Sequence, residues 1–483
     1  MGIIRRQGFR KSLVQYLGVL IGAFSTLFIF PQAVEQIGLL RFLIATATLI
    51  LPFVNLGTNT AILRFFPEFR APEKGHRGFF VLLLLAIATG FSLLCLLAWL
   101  CAPFIRALYS DRSALLQESL VYVLPLSLLI ALTYSLTIYI SNFLRVVVPT
   151  ILHELSLKIA LPAFILLYLY GVLDNQGLIW ALLATYTGIV LSLLLYLYRL
   201  DPSSFSKPDW SFLTSERLRR MADYSLFGFL GSVGSLLAFQ IDTFMVGSLS
   251  GLYSTGVYTI ALFIAGTIDI PLRSLQSITS PIVSDAWQRS DTEKIHSLYK
   301  KTSLILLLAG TAMLSLIWLN LDDLANLLPK GEVFRQGKYV ILLLGLARLT
   351  DLATSINNPI INFSKHYRFN LYAVFFLGLS NILLNLWLIP KYQIVGAALA
   401  SALALFAFNL LKAVFIYLRF RMQPFEWASA KILLASLLGW LAASYLPLPE
   451  HPLAAILLRS LYFTAAFALV ARKLAWQLWK DRN

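Results

Sequence analysis

Charge is scarce in this chain, and so are cysteine and long polar connections. Only 13% of its 483 residues are charged, against 59% that are hydrophobic. So little charge cannot cover the surface of a water-soluble fold of this length. The two cysteines, Cys95 and Cys101, stand six apart, which matches no metal-ligand spacing, and they read as buried small apolar residues. No polar stretch is long enough for a separate soluble domain or a nucleotide-binding cassette. The loops hold no Asp-x-Asp pair, no phosphate-cradling glycine loop and no nucleophile–histidine arrangement. Neither enzyme chemistry nor a cofactor or bound metal is expected.

What is present is apolar sequence in membrane-sized lengths. A hydrocarbon core about 30 Å thick needs roughly 20 apolar helical residues. Fourteen stretches qualify: 12–30, 37–62, 79–101, 118–140, 150–170, 178–198, 223–247, 256–281, 302–321, 339–360, 371–389, 394–418, 431–446 and 454–471. The first follows Ile3-Ile4-Arg5-Arg6 without a small-x-small cleavage site and reads as a retained helix. With the N-terminus inside, 27 of the 39 Lys and Arg fall in the inner segments, 6 in the outer gaps and 6 within spans. Positive residues stay on the cytoplasmic side, so both termini are expected there. The same loops account for the net charge of +16. They sit beside an anionic leaflet, which makes lipid head groups rather than nucleic acid the natural partner.

The two halves echo each other. Gly38 and Gly256 open the second and eighth spans, 218 residues apart. Asn142-Phe143 and Asn362-Phe363 lie 220 apart, and the turn glycines Gly177 and Gly396 lie 219 apart. A near-constant offset across an even number of spans predicts two parallel six-helix lobes, 1–198 and 223–418. A polar, proline-bearing linker, 199–222, joins them, and 419–483 carries two extra C-terminal helices. That plan is all-α and transporter-like, with a substrate site expected between the halves.

Several local patterns carry a family resemblance. They are Gln240-Ile-Asp242 through Gly247, Ser254-Thr-Gly256-Val-Tyr258, and Pro271 through Ser280-Pro281-Ile-Val-Ser284. Asp291-Thr-Glu-Lys-Ile295 and Ile389-Pro390 through Gly396 and Ala400 complete the set. Together they resemble the polysaccharide-export branch of the multidrug/oligosaccharidyl-lipid/polysaccharide superfamily. The resemblance implies a flippase of undecaprenyl-pyrophosphate-linked oligosaccharide in the cytoplasmic (inner) membrane of a bacterium. It also implies alternating access, H+ or Na+ coupling, and work alongside polysaccharide polymerase machinery in surface polysaccharide, O-antigen or capsule synthesis.

Charges inside spans are then the site candidates, because each costs roughly 2.5–3.5 kcal/mol at a helix centre unless sheltered. Asp269 and Arg273 stand i,i+4 in the eighth span; Arg348 and Asp351 stand i,i+3 in the tenth. Two readings are open. Arg273 and Arg348, with Arg64 at the inner end of the second span, hold the pyrophosphate, and Asp269, Asp351 and Asp242 orient them or couple an ion. Alternatively, Asp269–Arg273 and Arg348–Asp351 are intrahelical pairs that only neutralise each other. Glu154–Lys158 reads as a further i,i+4 pair, Arg41 as paired locally near Glu35, and Lys412 and Arg459 as snorkelling. Asn55, Asn59, Gln240, Asn357, Asn358, Asn381, Asn385 and Asn409 bind sugar hydroxyls or join helices. Gly18 and Gly22 allow close helix packing.

Three competitors remain. A MATE-like antiporter has twelve spans and a more acidic cleft. A peptidoglycan-precursor flippase has a more arginine-rich first lobe than this chain. A membrane glycosyltransferase or polymerase ligase needs a large outer loop, and the longest here, 322–338, is 17 residues.

Overall fold

The computed structural model describes residues 14–445 and 449–480; the basic segment 1–11 and the last residues of the tail lie outside them. Every regular element among the described residues is helical. That is the only economical answer to an apolar chain, since hydrocarbon offers no partner for a free N–H or C=O. Eleven helices are long and apolar enough to cross a membrane, or twelve if one bent pair counts as a single span.

Helix breaks separate that count from the fourteen expected stretches. The second stretch is divided into Val34–Leu49, Leu51–Asn55 and Thr58–Phe69, with a bend of 42°. Pro52 at the start of the middle piece, then Leu56 (φ 47°) and Gly57 (φ 73°), interrupt the ladder. The seventh is broken at Gln240, between Ser215–Phe239 and Ile241–Ser250. The tenth is broken at Ser355 (φ 37°), leaving the 17-residue Lys338–Thr354 and the short Asn357–Asn362. The eleventh and twelfth run together as the 53-residue Arg368–Phe420, turned only at Gln393 (φ 50°, ψ −128°).

The chain forms two compact units, Met1–Gly256 and Val257–Asn483. In the first, an aromatic cluster ties the helices at one end. Phe66 lies 5.3 Å from both Tyr139 and Phe143, and Phe69 lies 4.5 Å from Phe79. The 199–222 segment folds back onto this cluster. Asp201 accepts hydrogen bonds from His76 Nε2 at 3.0 Å and Ser203 Oγ at 2.6 Å, and also from Ser204 Oγ. Ala71 N–H donates to His76 Nδ1 at 3.3 Å, which fixes the ring orientation. Gly75, His76, Arg77 and Gly78 hold φ between 47° and 67°, a left-handed run that glycine makes affordable at two of its four positions. The second unit packs apolar clusters, among them one with Val283, Ile295, Tyr299 and Ile360 and another with Leu304, Ile432 and Phe463.

The glycines that marked the repeat have packing reasons. A Cβ on Gly38 would stand 1.9 Å from the Leu252 carbonyl oxygen, and one on Gly256 2.0 Å from that of Val34. These two markers therefore lie in one close backbone contact. Asn142 caps the helix ending at Ser141, and Phe363 caps the helix ending at Asn362. Three expectations are corrected. Cys101 is exposed rather than buried, and Cys95 is half-buried. Arg459 does not snorkel: it pairs with Asp323 at 2.6 Å and donates to the Leu319 carbonyl. Lys158 lies with its stem against Gly18, and no ion pair joins it to Glu154 among the described residues.

Candidate functional site

The second unit carries a buried charged network. The chain runs through the short 3-10 turn Thr267–Asp269 into the helix Ile270–Gln288, with Pro271 in its first turn. Proline has no N–H to give, so the ladder tightens just before it and Asp269 occupies the junction. Asp269 is buried, 5% exposed as a residue. Arg348, on Lys338–Thr354, reaches it with Nε at 3.2 Å from Asp269 Oδ2, and reaches Asp351 with Nη1 at 3.5 Å from Oδ2. Asn409 Nδ2 donates to Asp351 Oδ1 at 2.7 Å. Asn409 Oδ1 in turn accepts from Thr354 Oγ1 at 3.0 Å and Asn357 Nδ2 at 3.1 Å. Lys412 is 0% exposed, donates to Asn358 Oδ1 and lies 4.3 Å from the Phe408 ring centroid. Two carboxylates and two cations leave this network with no net charge, the condition under which ionised groups survive in a low-dielectric interior.

The expected pairing is half right. Arg348 and Asp351 do pair at i,i+3. Asp269 does not pair with Arg273; it pairs across to another helix. Arg273 stands one turn past the 3-10/α junction, near enough to act on Asp269 electrostatically but not in an ion pair with it. It is exposed and has no carboxylate within ion-pairing distance among the described residues. Arg64 on Thr58–Phe69 is likewise exposed and outside any ion pair among the described residues. Asp242 lies half-buried in the first turn of Ile241–Ser250, where a negative charge complements the helix dipole. Lys412 corrects the snorkelling expectation, since its ammonium ends inside the protein.

The amides divide similarly. Asn357, Asn358 and Asn409 join helices through the network above, and Asn59 Oδ1 accepts from Ser135 Oγ at 2.8 Å. Asn55 differs: it is 3% exposed, and neither its Nδ2 nor its Oδ1 has a hydrogen-bond partner among the described residues. It lines a cavity of about 570 Å³ in the first unit, together with Asn59, Tyr134, Tyr224, Ser232 and Ser235. Sequence reading named Asn55 but had no signal for the cavity, which depends on a helix bend and on which helix packs beside it. It also missed the His76–Asp201 contact, whose partners are 125 residues apart in sequence.

Outside the membrane helices, burial pushes the Asp201 carboxyl up. The Ser203 and Ser204 hydroxyls and His76 outweigh it, and the carboxyl ends below its ordinary range.

Comparison with known proteins places the family and the fold. A family profile described as "Polysaccharide biosynthesis protein" matches residues 10–287, and one described as "MatE" matches 229–387. A curated relative, the probable low-salt glycan biosynthesis flippase Agl15 of Haloferax volcanii, is 22% identical over 267 residues, 54% of this chain and 54% of its own. The chain thus spans about half the length of that relative. Among solved structures, lipid II flippase MurJ in an inward closed conformation superposes with a TM-score of 0.72 at 14% identity, covering 96% of this chain and 99% of that one. An inward-facing multidrug resistance MATE family transporter of the MOP superfamily superposes at 0.63, also at 14% identity, covering 84% and 94%. At such identities these structures establish the shared fold.

Proposed function

Because this chain belongs to the polysaccharide biosynthesis protein family, within the MOP flippase superfamily, a group of transporters rather than enzymes, we propose that it flips an undecaprenyl-pyrophosphate-linked oligosaccharide across the cytoplasmic membrane of a bacterium. The glycan head meets a polar site while its lipid tail stays in the bilayer. The site opens alternately to the two membrane faces. The full plan in this reading is fourteen passes in two parallel six-helix lobes plus two, both termini in the cytoplasm, an H+ or Na+ gradient as the drive, and polysaccharide polymerase machinery downstream.

The observation that carries the reading is Arg273. It projects from the middle of a membrane helix, Leu252–Gln288, exposed and with no carboxylate at ion-pairing distance among the described residues. An arginine left so would cost about 2.5–3.5 kcal/mol at mid-membrane, so it needs an anion to serve. A pyrophosphate accepts bidentate hydrogen bonds from a guanidinium fork. Arg64 is the second free cation in this reading. Arg348 is committed to Asp269 and Asp351 and ties the Asp269 junction to the helix Lys338–Thr354 that carries Arg348 and Asp351. Asp269, with one buried oxygen on Arg348 and the other without a hydrogen-bond partner, is the group we assign to ion coupling, with Asp351 and Asp242 as further candidates.

The test is complementation of a strain defective in surface-glycan export. Arg273→Ala should abolish export at normal protein abundance. Arg273→Lys should restore only part, since it keeps the charge and loses the fork. Full export by Arg273→Ala would remove the site assignment. Rescue of a strain lacking its peptidoglycan-precursor flippase, without rescue of glycan export, would transfer the substrate to that pathway. For topology, cysteine labelling should place Ser204, Asp291 and Arg421 inside and Asn175, Ser250 and Glu332 outside.

A further inference from the structure

The first unit holds a cavity whose chemistry differs from that of an anion site. Its lining includes no charged side chain among the described residues. It offers amides at Asn55 and Asn59, hydroxyls at Ser232 and Ser235, and the rings of Tyr134 and Tyr224. Amides and hydroxyls beside aromatic faces are what a sugar ring demands, since it is rimmed by hydroxyls and carries apolar C–H faces. We propose that this cavity is a saccharide subsite that takes an uncharged hexose or N-acetylhexosamine residue of the lipid-linked glycan. The proposal rests on the flippase reading above and adds the sugar class to it.

Three observations support it. The first is Asn55. Its side chain is buried, yet donor and acceptor both lack a protein partner among the described residues. A buried amide left in that state costs about 1–3 kcal/mol for each unsatisfied group, so it persists where a ligand is to be met. The second is the backbone that places it. Asn55 ends the helix Leu51–Asn55, and the next two residues are left-handed, Leu56 and Gly57. Non-glycine residues in that region are strained, and such strain clusters at functional sites. Thr58 Oγ1 donates to the Asn55 carbonyl at 2.6 Å and holds the turn. The cavity wall from Ser215–Phe239 approaches this turn closely: a Cβ on Gly57 would lie 1.8 Å from the Ser225 carbonyl oxygen. The third is that the ring edges are fixed. Tyr224 packs edge-on to Phe65 at 5.8 Å and Tyr134 to His153 at 4.9 Å, and both tyrosines line the cavity. Asn59, with Oδ1 taken by Ser135, keeps its Nδ2 for a sugar oxygen.

Neutrality follows from the same inventory. A carboxylate sugar entering a cavity without a cation would be desolvated without compensation. A hydroxyl or acetamido group would meet Asn55.

Gly231 supplies the perturbation. It lines the cavity, and a Cβ there would meet nothing within 4 Å. The first carbon of Gly231→Leu therefore enters open space and the rest of the side chain extends from it to occupy cavity volume, and replacing glycine inside a helix favours folding. Asn55→Leu removes the amide instead. The experiment measures binding of three probes to the purified full-length protein in nanodiscs. They are undecaprenyl pyrophosphate, its N-acetylglucosaminyl derivative and its glucuronosyl derivative. The wild type should bind the N-acetylglucosaminyl lipid about tenfold tighter than the bare lipid, the return expected from one or two neutral hydrogen bonds plus stacking. The glucuronosyl lipid should gain nothing. Gly231→Leu and Asn55→Leu should lose the sugar increment and keep bare-lipid binding. An increment that survives both variants overturns the subsite. An equal increment for glucuronate overturns its neutrality. Equal binding of all three by the wild type overturns the subsite and leaves the head-group reading standing. Binding of none overturns both.

Discussion

Replacing Asp269 by asparagine should expose which arginine it serves. In the folded protein Asp269 and Asp351 oppose Arg348 and Lys412, so the network is neutral as drawn. Asp269→Asn removes one negative charge and leaves a surplus cation, with Arg348 now held only by Asp351 at 3.5 Å. Breaking a buried pair costs about 3–5 kcal/mol when the remaining charge has no other partner. Here Arg348 keeps Asp351 and some exposure, and the new amide still accepts one hydrogen bond. The loss should therefore fall nearer to the cost of one unsatisfied group, about 1–3 kcal/mol. A second change decides the matter. Asp269→Asn with Arg348→Gln leaves Asp351 and Lys412, again neutral, and should recover most of the loss. Asp269→Asn with Arg273→Gln leaves the surplus charge buried and should recover nothing. Thermal unfolding of the purified protein, read beside its abundance in the membrane, measures all three. Recovery through Arg273 and none through Arg348 would refute the network.

Asn55→Leu should raise the unfolding temperature, because it removes a buried amide with no hydrogen bonds, by about 1–3 kcal/mol of stability; a clear loss of stability would mean that the amide is satisfied in the folded protein. Gly38→Ala should destabilise by about 1–3 kcal/mol or more, since its Cβ falls on a backbone oxygen 1.9 Å away and backbone cannot be displaced cheaply; unchanged unfolding would contradict that contact. Asp201 holds a carboxyl pKa below its ordinary value when folded, so its contribution to stability is complete above that ordinary value and disappears as pH falls through the lower folded one. Asp201→Asn should flatten stability against pH in that acid window and leave its shape at higher pH unchanged; an identical acid limb in wild type and variant would contradict it.

The membrane class, the absence of enzyme chemistry and the family were legible in the sequence, because each rests on composition or local pattern. Apolar run length and basic-loop asymmetry are one-dimensional signals. The pair Arg348–Asp351 was legible too, being separated by three residues on one helix. Asp269 shows where that reasoning ends. Its i,i+4 neighbour was the obvious partner only if the helix were regular, and a 3-10 turn ahead of Pro271 makes it irregular. Lys412 reads as a snorkelling cation in a sequence, and only tertiary packing places Asn358 over its ammonium. Breaks at Leu56–Gly57, Gln240, Ser355 and Gln393 are weakly signalled as well, since three of the five are non-glycine residues in left-handed backbone. Gly38 and Gly256 were noticed as repeat markers, and their mutual close approach supplies the reason glycine stands at both.

The central claim is transbilayer movement of a lipid-linked glycan. Its most direct measurement uses proteoliposomes of the purified protein and a short fluorescent oligosaccharide on undecaprenyl pyrophosphate, with a membrane-impermeant glycosidase outside. The account predicts that the wild type makes the inner-leaflet pool accessible to the enzyme, and that Arg273→Ala leaves it protected as in protein-free vesicles. Protection in wild-type vesicles in the presence of both H+ and Na+ gradients, with correctly inserted protein, would contradict it.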